Sequence, residues 1–523
     1  MKANRGLAHL MGGLVTVAAL VATVWQPAGS APAAAPRRGG TLNATFSSDP
    51  AHLDPHRGTT AQNFVPLVYN GLVRFKTGPG VRPDQFIIEP DLAERWEQPS
   101  PTTYVFRLRR GVRFHDKPPV NGRELTSDDV VWSLERMLAE DPENIKRDLF
   151  SVIQRYEAVD RYTVRVTLRE PFAPFLHNLA TVFASIVPRA DVDYKRVAIG
   201  TGPFMLDSFQ RGVRYVYKRH PAYFERGQPY LDEIVIHIFR DFATRAAALR
   251  AGRIDVVDLL PWGQAQPIIR EGQLRWEKYQ GIFSVHARLN VDRPPLNHEK
   301  ARQAMSLALN RQAIAIALGG GEGAVNGPVP AGLGVWAVDW RRLPFFQRDV
   351  AKARQLLREA GFPDGVTVEA VGGVSPDNRR IMLEAMKAQL AQAGITLNFR
   401  LIDTAQVQRV RFQKDFMILA DNFTLASDPD SYLYVEYHST SSGNVGNYRD
   451  PSIDRLLEAQ RRELDQARRL PLVHEAQVRI ARKAWILTTG DPIYVSLWWP
   501  YVQGWRHHHI NQYLPLKNVW LDR

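Results

Sequence analysis

Cysteine is absent from all 523 residues. That excludes disulfides, thiolate metal sites, iron–sulfur clusters, cysteine nucleophiles and a lipid-modified N-terminal cysteine, so the chain must be stable by packing alone. The nucleophile elbow G-x-S-x-G is missing too; its nearest approach, Gly373-Val374-Ser375, runs into Pro376. No zinc-protease H-E-x-x-H occurs. Long basic runs are lacking, although 67 Lys and Arg against 54 Asp and Glu leave a formal net charge of +13. The basic residues stand in short doublets, such as Arg109-Arg110 and Arg341-Arg342, with acids interleaved. Such a pattern is that of a solvated surface, and no nucleic-acid partner is expected.

Beyond the first 35 residues no stretch is apolar enough for a membrane span, which needs roughly 18 residues or more. Those 35 differ in kind from the rest. Lys2 and Arg5 are followed by an apolar run from Leu10 to Val24, broken only by Thr16 and Thr23, and then by the small-residue tract Ala28 to Ala35. The order is that of a secretory signal peptide over 1–35, with a single N-terminal anchor helix as the alternative. The expected product is an exported, periplasmic, soluble chain without a lipid anchor. A large core makes disulfides dispensable there.

With 45% hydrophobic and 23% charged residues the composition is globular, and the length suits two to four units. Period-two alternation predicts strands at Tyr104, Phe106 and Leu108, at Tyr162, Val164, Val166 and Leu168, and at Ile234, Ile236 and Ile238. A helix is expected from Val130 to Leu138, capped by Thr126 or Ser127, with Asp128 and Asp129 in its first turn. Further on, Asp349 caps a helix that Gly361 stops, and Val366 and Val368 read as a strand. Ser375-Pro376 opens a helix ending at Gly394, and Ile395, Leu397, Phe399 and Leu401 alternate. Strand–helix–strand order with short loops implies a parallel crossover unit. Helices are also expected over Glu299–Leu318 and Ser452–Lys483.

Catalytic signals are weak. Gly319 to Gly323 follows a helix and lacks the Lys-Ser/Thr of a phosphate loop, so it reads as a flexible connection. In His507-His508-His509 neighbouring side chains point to opposite faces, so at most two could share a metal; a solvated or interface run is the expectation. His115-Asp116 lacks a serine partner. Among the 12 tryptophans, Trp336, Trp340, Trp498, Trp499 and Trp505 fall outside the periodic core patterns. Aromatics so placed often line ligand clefts. No cofactor or metal is expected.

Several motifs resemble those of a known family. Pro90-Asp91-Leu92-Ala93-Glu94-Arg95-Trp96 is followed by Tyr104 to Asp116 and then by Leu125-Thr126-Ser127-Asp128-Asp129-Val130-Val131-Trp132-Ser133. Together they resemble the signature region of the family 5 extracellular solute-binding proteins, the peptide/nickel-type receptors of ABC importers. Leu53-Asp54-Pro55, Val68 to Leu72, Gly200-Thr201-Gly202-Pro203-Phe204, Ala248 to Asp255, Arg302 to Arg311, Gly327 to Pro330, Asp428-Pro429-Asp430, Asn447-Tyr448 and Asp454 to Leu457 follow in the family's order.

The resemblance implies an α/β, two-lobed type II periplasmic-binding-protein fold with an extra domain in the N-terminal lobe. Lobe I would span 36–289, with an inserted subdomain at about 75–190; lobe II would span 290–494, and 495–523 would return to lobe I. Crossings near Leu289–Val291 and Tyr494–Ser496 would form the hinge. The implied function is capture of a peptide or peptide-like molecule by lobe closure, followed by delivery to the transmembrane permease of an ABC importer, by a monomeric, non-catalytic receptor. A metal-chelate, nickel-type or haem receptor is the alternative within the family; a secreted hydrolase is the alternative outside it. In dipeptide-binding relatives an Asp three residues before Asp-Pro-Asp pairs with the ligand's amine, and Leu425 stands there in this chain. The candidate ligand-binding residues are Ser47, Ser48, Trp336, Asn422, Phe423, Thr424 and Trp498.

Overall fold

The structure is a computed structural model, and it describes residues 35–50, 52–57, 65–78, 80–144, 146–374, 378–423, 426–510 and 513–523. The expected signal peptide thus lies, except for its last residue, outside the described residues, as do Ser375-Pro376, Thr424 and Leu425. No helix among the described residues is long and apolar enough to cross a membrane.

Alternation of buried and exposed positions builds three main sheets. In the first, Thr41–Phe46 runs parallel to Glu233–Ile238, and Arg214–Arg219 and Phe204–Gln210 extend it antiparallel. The second is an antiparallel meander in the order 93–100, 103–108, 163–168 and 153–160. The helix Ser127–Leu138 buries Val130, Leu134 and Met137. Its start is fixed by Asp129, whose carboxylate accepts from the Thr126 amide at 2.9 Å and the Arg189 amide at 2.8 Å. Asp129 is therefore a buried tie between segments as well as a favourable first-turn charge.

The third sheet is the largest. Its crossover half is the one expected: Val366–Gly373 pairs in parallel with Ile395–Ile402, from Val366 opposite Ile395 to Gly373 opposite Ile402, with the helix Asn378–Ala391 between them in sequence. Ile418–Asn422 and Val285–Leu289 continue it, and both abut a core that includes Met382, Leu383, Leu390 and Leu397.

The last strand of this sheet, Ile486–Trp498, changes partners along its length. Its first part pairs with Val285–Leu289, Asp491 and Pro492 pair with Ala324 and Gly323, and residues 493–498 lie between 256–261 and 275–280. The change falls at Gly490–Ile493, just ahead of the expected Tyr494–Ser496. The matching link between strands is Gly281–Ser284, ahead of the expected Leu289–Val291. Asn326 holds the two links together by donating through Nδ2 to the Phe283 carbonyl and to Asp491 Oδ2, each at 3.2 Å.

Three sequence expectations are corrected. The helix expected over Glu299–Leu318 is two helices, Glu299–Ala308 and Arg311–Gly319, because Asn310 caps the second by accepting from the Ala313 amide. The one expected over Ser452–Lys483 likewise divides at Glu463–Asp465, where Asp465 caps Gln466–Lys483 by accepting from the Arg468 amide. The glycine-rich connection is packed rather than loose. A Cβ on Gly323 would overlap the Ala315 carbonyl, and Gly320, at φ +65°, packs its backbone against Gly263.

Candidate functional site: a cleft with unbalanced positive charge

Two segments far apart in sequence face each other across a cleft of about 500 Å³, open solvent at its mouth included. Lys146, Asn178 and Phe183 line one side; Ala426, Ser427 and Asp428 line the other. The sides are already in contact. His177 Nδ1 lies 3.3 Å from Ser427 Oγ, the Ala173 amide donates to the Arg461 carbonyl at 2.8 Å, and Arg462 meets Glu170 at 2.6 Å.

Behind the Ala426–Asp428 wall stand two ionic clusters. In one, Arg469 holds Asp428 in a two-point grip at 2.6 and 2.7 Å. Gln460 accepts from Arg469 and donates to Asp430 at 2.6 Å, and Arg461 completes the set on Asp430 at 2.9 Å. Burial alone would raise the Asp428 carboxyl, but Arg469 outweighs it and holds the group below the usual carboxylate range.

The other cluster is unbalanced. Arg288, fully buried, pairs with Asp421 and Glu436; Arg411 reaches Asp421 at 3.1 Å, and Arg379 stands 4.0 Å from it. Lys146, on the cleft wall, lies within electrostatic reach of Arg411 and Glu436. Leaving Arg379 out of the balance, three cations (Lys146, Arg288 and Arg411) thus share two carboxylates (Asp421 and Glu436), an excess of positive charge. His286 beside them stays neutral, because burial and then Arg288 depress its pKa. Burial opposes ionisation of Asp421, yet Arg288 and Arg411 prevail and bring it down to about 2.

The sequence-chosen residues fall around this site unevenly. Asn422 ends the strand Ile418–Asn422 opposite Val285, and its buried Oδ1 has no hydrogen-bond partner among the described residues. Phe423 packs inward, 3% exposed, with its ring 4.1 Å from His286 and edge-on to Tyr432 at 5.6 Å. Trp336 is part-buried beneath the Arg469 guanidinium at 5.2 Å, so it touches the residue that grips Asp428. Trp498 is buried at the end of its strand, between Val256 and Arg275. Ser47 and Ser48 follow the strand Thr41–Phe46 half-buried, beside Asp49, which accepts from Tyr215 Oη at 3.0 Å. None of these residues lines the cleft: Asn422 and Phe423 shortly precede its Ala426–Asp428 wall in sequence, Trp336 touches Arg469 behind that wall, and the serines and Trp498 lie on other elements. Missed in the sequence were Lys146, Ser427, Arg379 and Arg411. No spacing signal marks them, since they lie on four separate segments of the chain.

The histidine run is buried rather than solvated. His507, His508 and His509 are all buried. His507 Nδ1 sits 2.7 Å from Asp258 Oδ2 and its Nε2 3.0 Å from His509 Nδ1, with the ring stacked on Tyr279 at 3.7 Å. His508 turns to the other side, against Phe75 and Phe86. Among the described residues no group of three or more His, Asp or Glu side chains is arranged to hold a metal ion. His115 is structural as well. It is fully buried, and its Nε2 lies 3.1 Å from the Gly202 carbonyl.

The profile of the "Bacterial extracellular solute-binding proteins, family 5 Middle" matches residues 88–444, more than half of the chain. The chain belongs to this family. Family 5 is made up of solute-binding proteins rather than enzymes. Among its relatives, the di/tripeptide-binding protein 3 of Pseudomonas aeruginosa is 31% identical over 484 residues, covering 83% of this chain and 87% of that one. Haem-binding protein A of Haemophilus influenzae is 29% identical over 466 residues, 82% of each chain. The fold matches that of the ABC transporter-associated periplasmic binding protein DppA from Helicobacter pylori, solved with the peptide STSA. Its TM-score is 0.79 at 25% identity, over 93% of this chain and 99% of that one. The family 5 architecture is therefore the two-lobed type II fold expected from the motifs.

Proposed function

We propose that this family 5 protein is the periplasmic receptor of an ABC importer, and that it captures short peptides by closing its lobes on them. The observation that carries this reading is the cleft between 146–183 and 426–431, with its surplus of positive charge. A peptide brings a carboxylate to such a site, while Ser427 Oγ, which lines the cleft, offers a partner to its amide groups. Asp421 is occupied by arginines and so is a poor partner for a ligand amine. The di/tripeptide-binding relative and the peptide-bound neighbour support the same ligand class.

In this reading lobe I comprises 36 to about 281 with a subdomain at about 75–190, lobe II comprises about 285–490, and the chain from about 493 returns to lobe I, both boundaries falling a few residues ahead of 289 and 494. The hinge lies at Gly281–Ser284 and Gly490–Ile493, where the sheet changes partners. Ligand contacts to both sides stabilise the closed form, which a permease would then recognise. The receptor works as a monomer after removal of the leader at 1–35. Trp336, which touches the guanidinium that grips Asp428, backs the lobe II side of the cleft, and no ligand contact is assigned to Ser47, Ser48 or Trp498, which sit on other elements.

Native mass spectrometry of protein purified gently from the exported fraction tests this. A peptide-mass adduct, released by mild unfolding, is the expected result. In a thermal-shift panel, a bound peptide at about 100 times its Kd should add about 2.7 kcal/mol of stability. A haem or metal-chelate adduct would move the assignment to the second reading, which the haem-binding relative favours. If no solute moves the melting point, the receptor reading fails.

A further inference from the structure

Lys146 is the one basic side chain among the residues lining the cleft. Its ammonium lies 5.3 Å from the centre of the Phe183 ring and has no carboxylate within ion-pair distance among the described residues. The acid on the opposite wall, Asp428, is already neutralised by Arg469 through both carboxylate oxygens. Behind Lys146 the nearest charges include Arg411, a like charge, and Glu436, which Arg288 already holds. Burial and then Arg411 disfavour the charged ammonium, and Glu436 offsets them only in part. A part-buried cation so placed lacks only an anion from outside the chain.

We infer that Lys146 is a specificity-determining residue that receives a carboxylate of the ligand, so that the receptor selects anionic peptides over neutral ones. This rests on the peptide reading above and deepens it. The Phe183 face holds the ammonium at the wall at little cost. A carboxylate entering the cleft beside Lys146 would offset the repulsion that Lys146 feels from Arg411. The carboxylate is either the peptide's C-terminus or an acidic side chain.

The test is isothermal titration calorimetry of the full chain with three probes: Ala-Ala-Ala, its C-terminal amide, and Ala-Glu-Ala amide. At least one of the two carboxylate-bearing peptides should bind the wild-type protein about ten-fold or more tighter than the neutral amide. Which one does so identifies the source of the carboxylate. Lys146→Met should shrink that ratio by about five-fold or more, while Lys146→Arg keeps most of it. Lys146→Gln serves the same purpose should the methionine variant lose stability. An unchanged ratio in both neutral variants, with trialanine still bound, overturns the inference and leaves the peptide reading standing. If none of the three peptides binds the wild-type protein, the peptide reading falls and the inference with it.

Discussion

Two buried ionic clusters stand a few residues apart behind the same wall, and they are built on different principles. Around Asp428 and Asp430 every acid has its cation: Arg469 grips Asp428, and Arg461 and Gln460 hold Asp430. Around Asp421 and Glu436 the cations outnumber the acids, and the cluster runs out to the cleft through Arg411 and Lys146. A closed cluster of this kind fixes the shape of the wall. An unbalanced one at a cleft is a standing demand for an anion. Buried charge alone therefore does not mark a binding site; the imbalance does.

The largest test of this contrast is Arg469→Ala. It leaves Asp428 charged and buried without a partner, and it should lower stability by about 3–5 kcal/mol in urea denaturation. Lys146→Met, with no partner to strand, should cost less than about 1 kcal/mol. Equal losses would break the distinction between the clusters.

Acid should expose the second cluster next. The folded pKa of Asp421, about 2, lies below its ordinary value of 3.8. Its ionised form therefore contributes stability above the unfolded pKa, and this is lost as pH falls from about 4 through about 2. At about 1.4 kcal/mol for each pH unit of depression, the contribution is about 2 kcal/mol. Urea midpoints measured between pH 5 and pH 2 should fall more steeply for the wild type than for Asp421→Asn. Parallel curves would remove Asp421 from the account.

The smallest effect belongs to the exposed bridge between the cleft walls, Arg462 with Glu170. Pairs of this exposure are worth about 0–1 kcal/mol. Arg462→Ala should thus weaken peptide binding by no more than about five-fold, with stability almost unchanged. A larger loss would make this bridge, rather than the cleft's charge, the main force in closure.

Much of the scaffold was legible because its signals are local. The parallel unit from Val366 to Ile402 follows from alternation, helical spacing and short loops, and its strands pair as expected. The family motifs were legible too, and several of them turn out to be one buried knot. The Gly202 amide donates to the Val68 carbonyl at 2.8 Å, Thr201 Oγ1 to Asn70 Oδ1 at 3.1 Å, and Asn70 Nδ2 to Asp91 at 2.9 Å. A Cβ on Gly200 or Gly202 would overlap the backbone of Val68, so those glycines mark a close approach of two chains. These motifs identify the family and hold its framework, which is why they led to the fold more surely than to the ligand.

The sequence by itself determined the export-type leader pattern, the α/β class, the crossover unit and the family, since each rests on residue order over short spans. Where a long helical pattern divides, as at Asn310 and Asp465, a capping side chain overrode periodicity. Only the tertiary structure decided that His507 to His509 are buried and that Asp421 is encircled by arginines. It alone placed Lys146 across a cleft from Asp428, 282 positions later in the numbering of the chain. Charge balance is a sum over neighbours in space, and no pattern along the chain records which neighbours those will be.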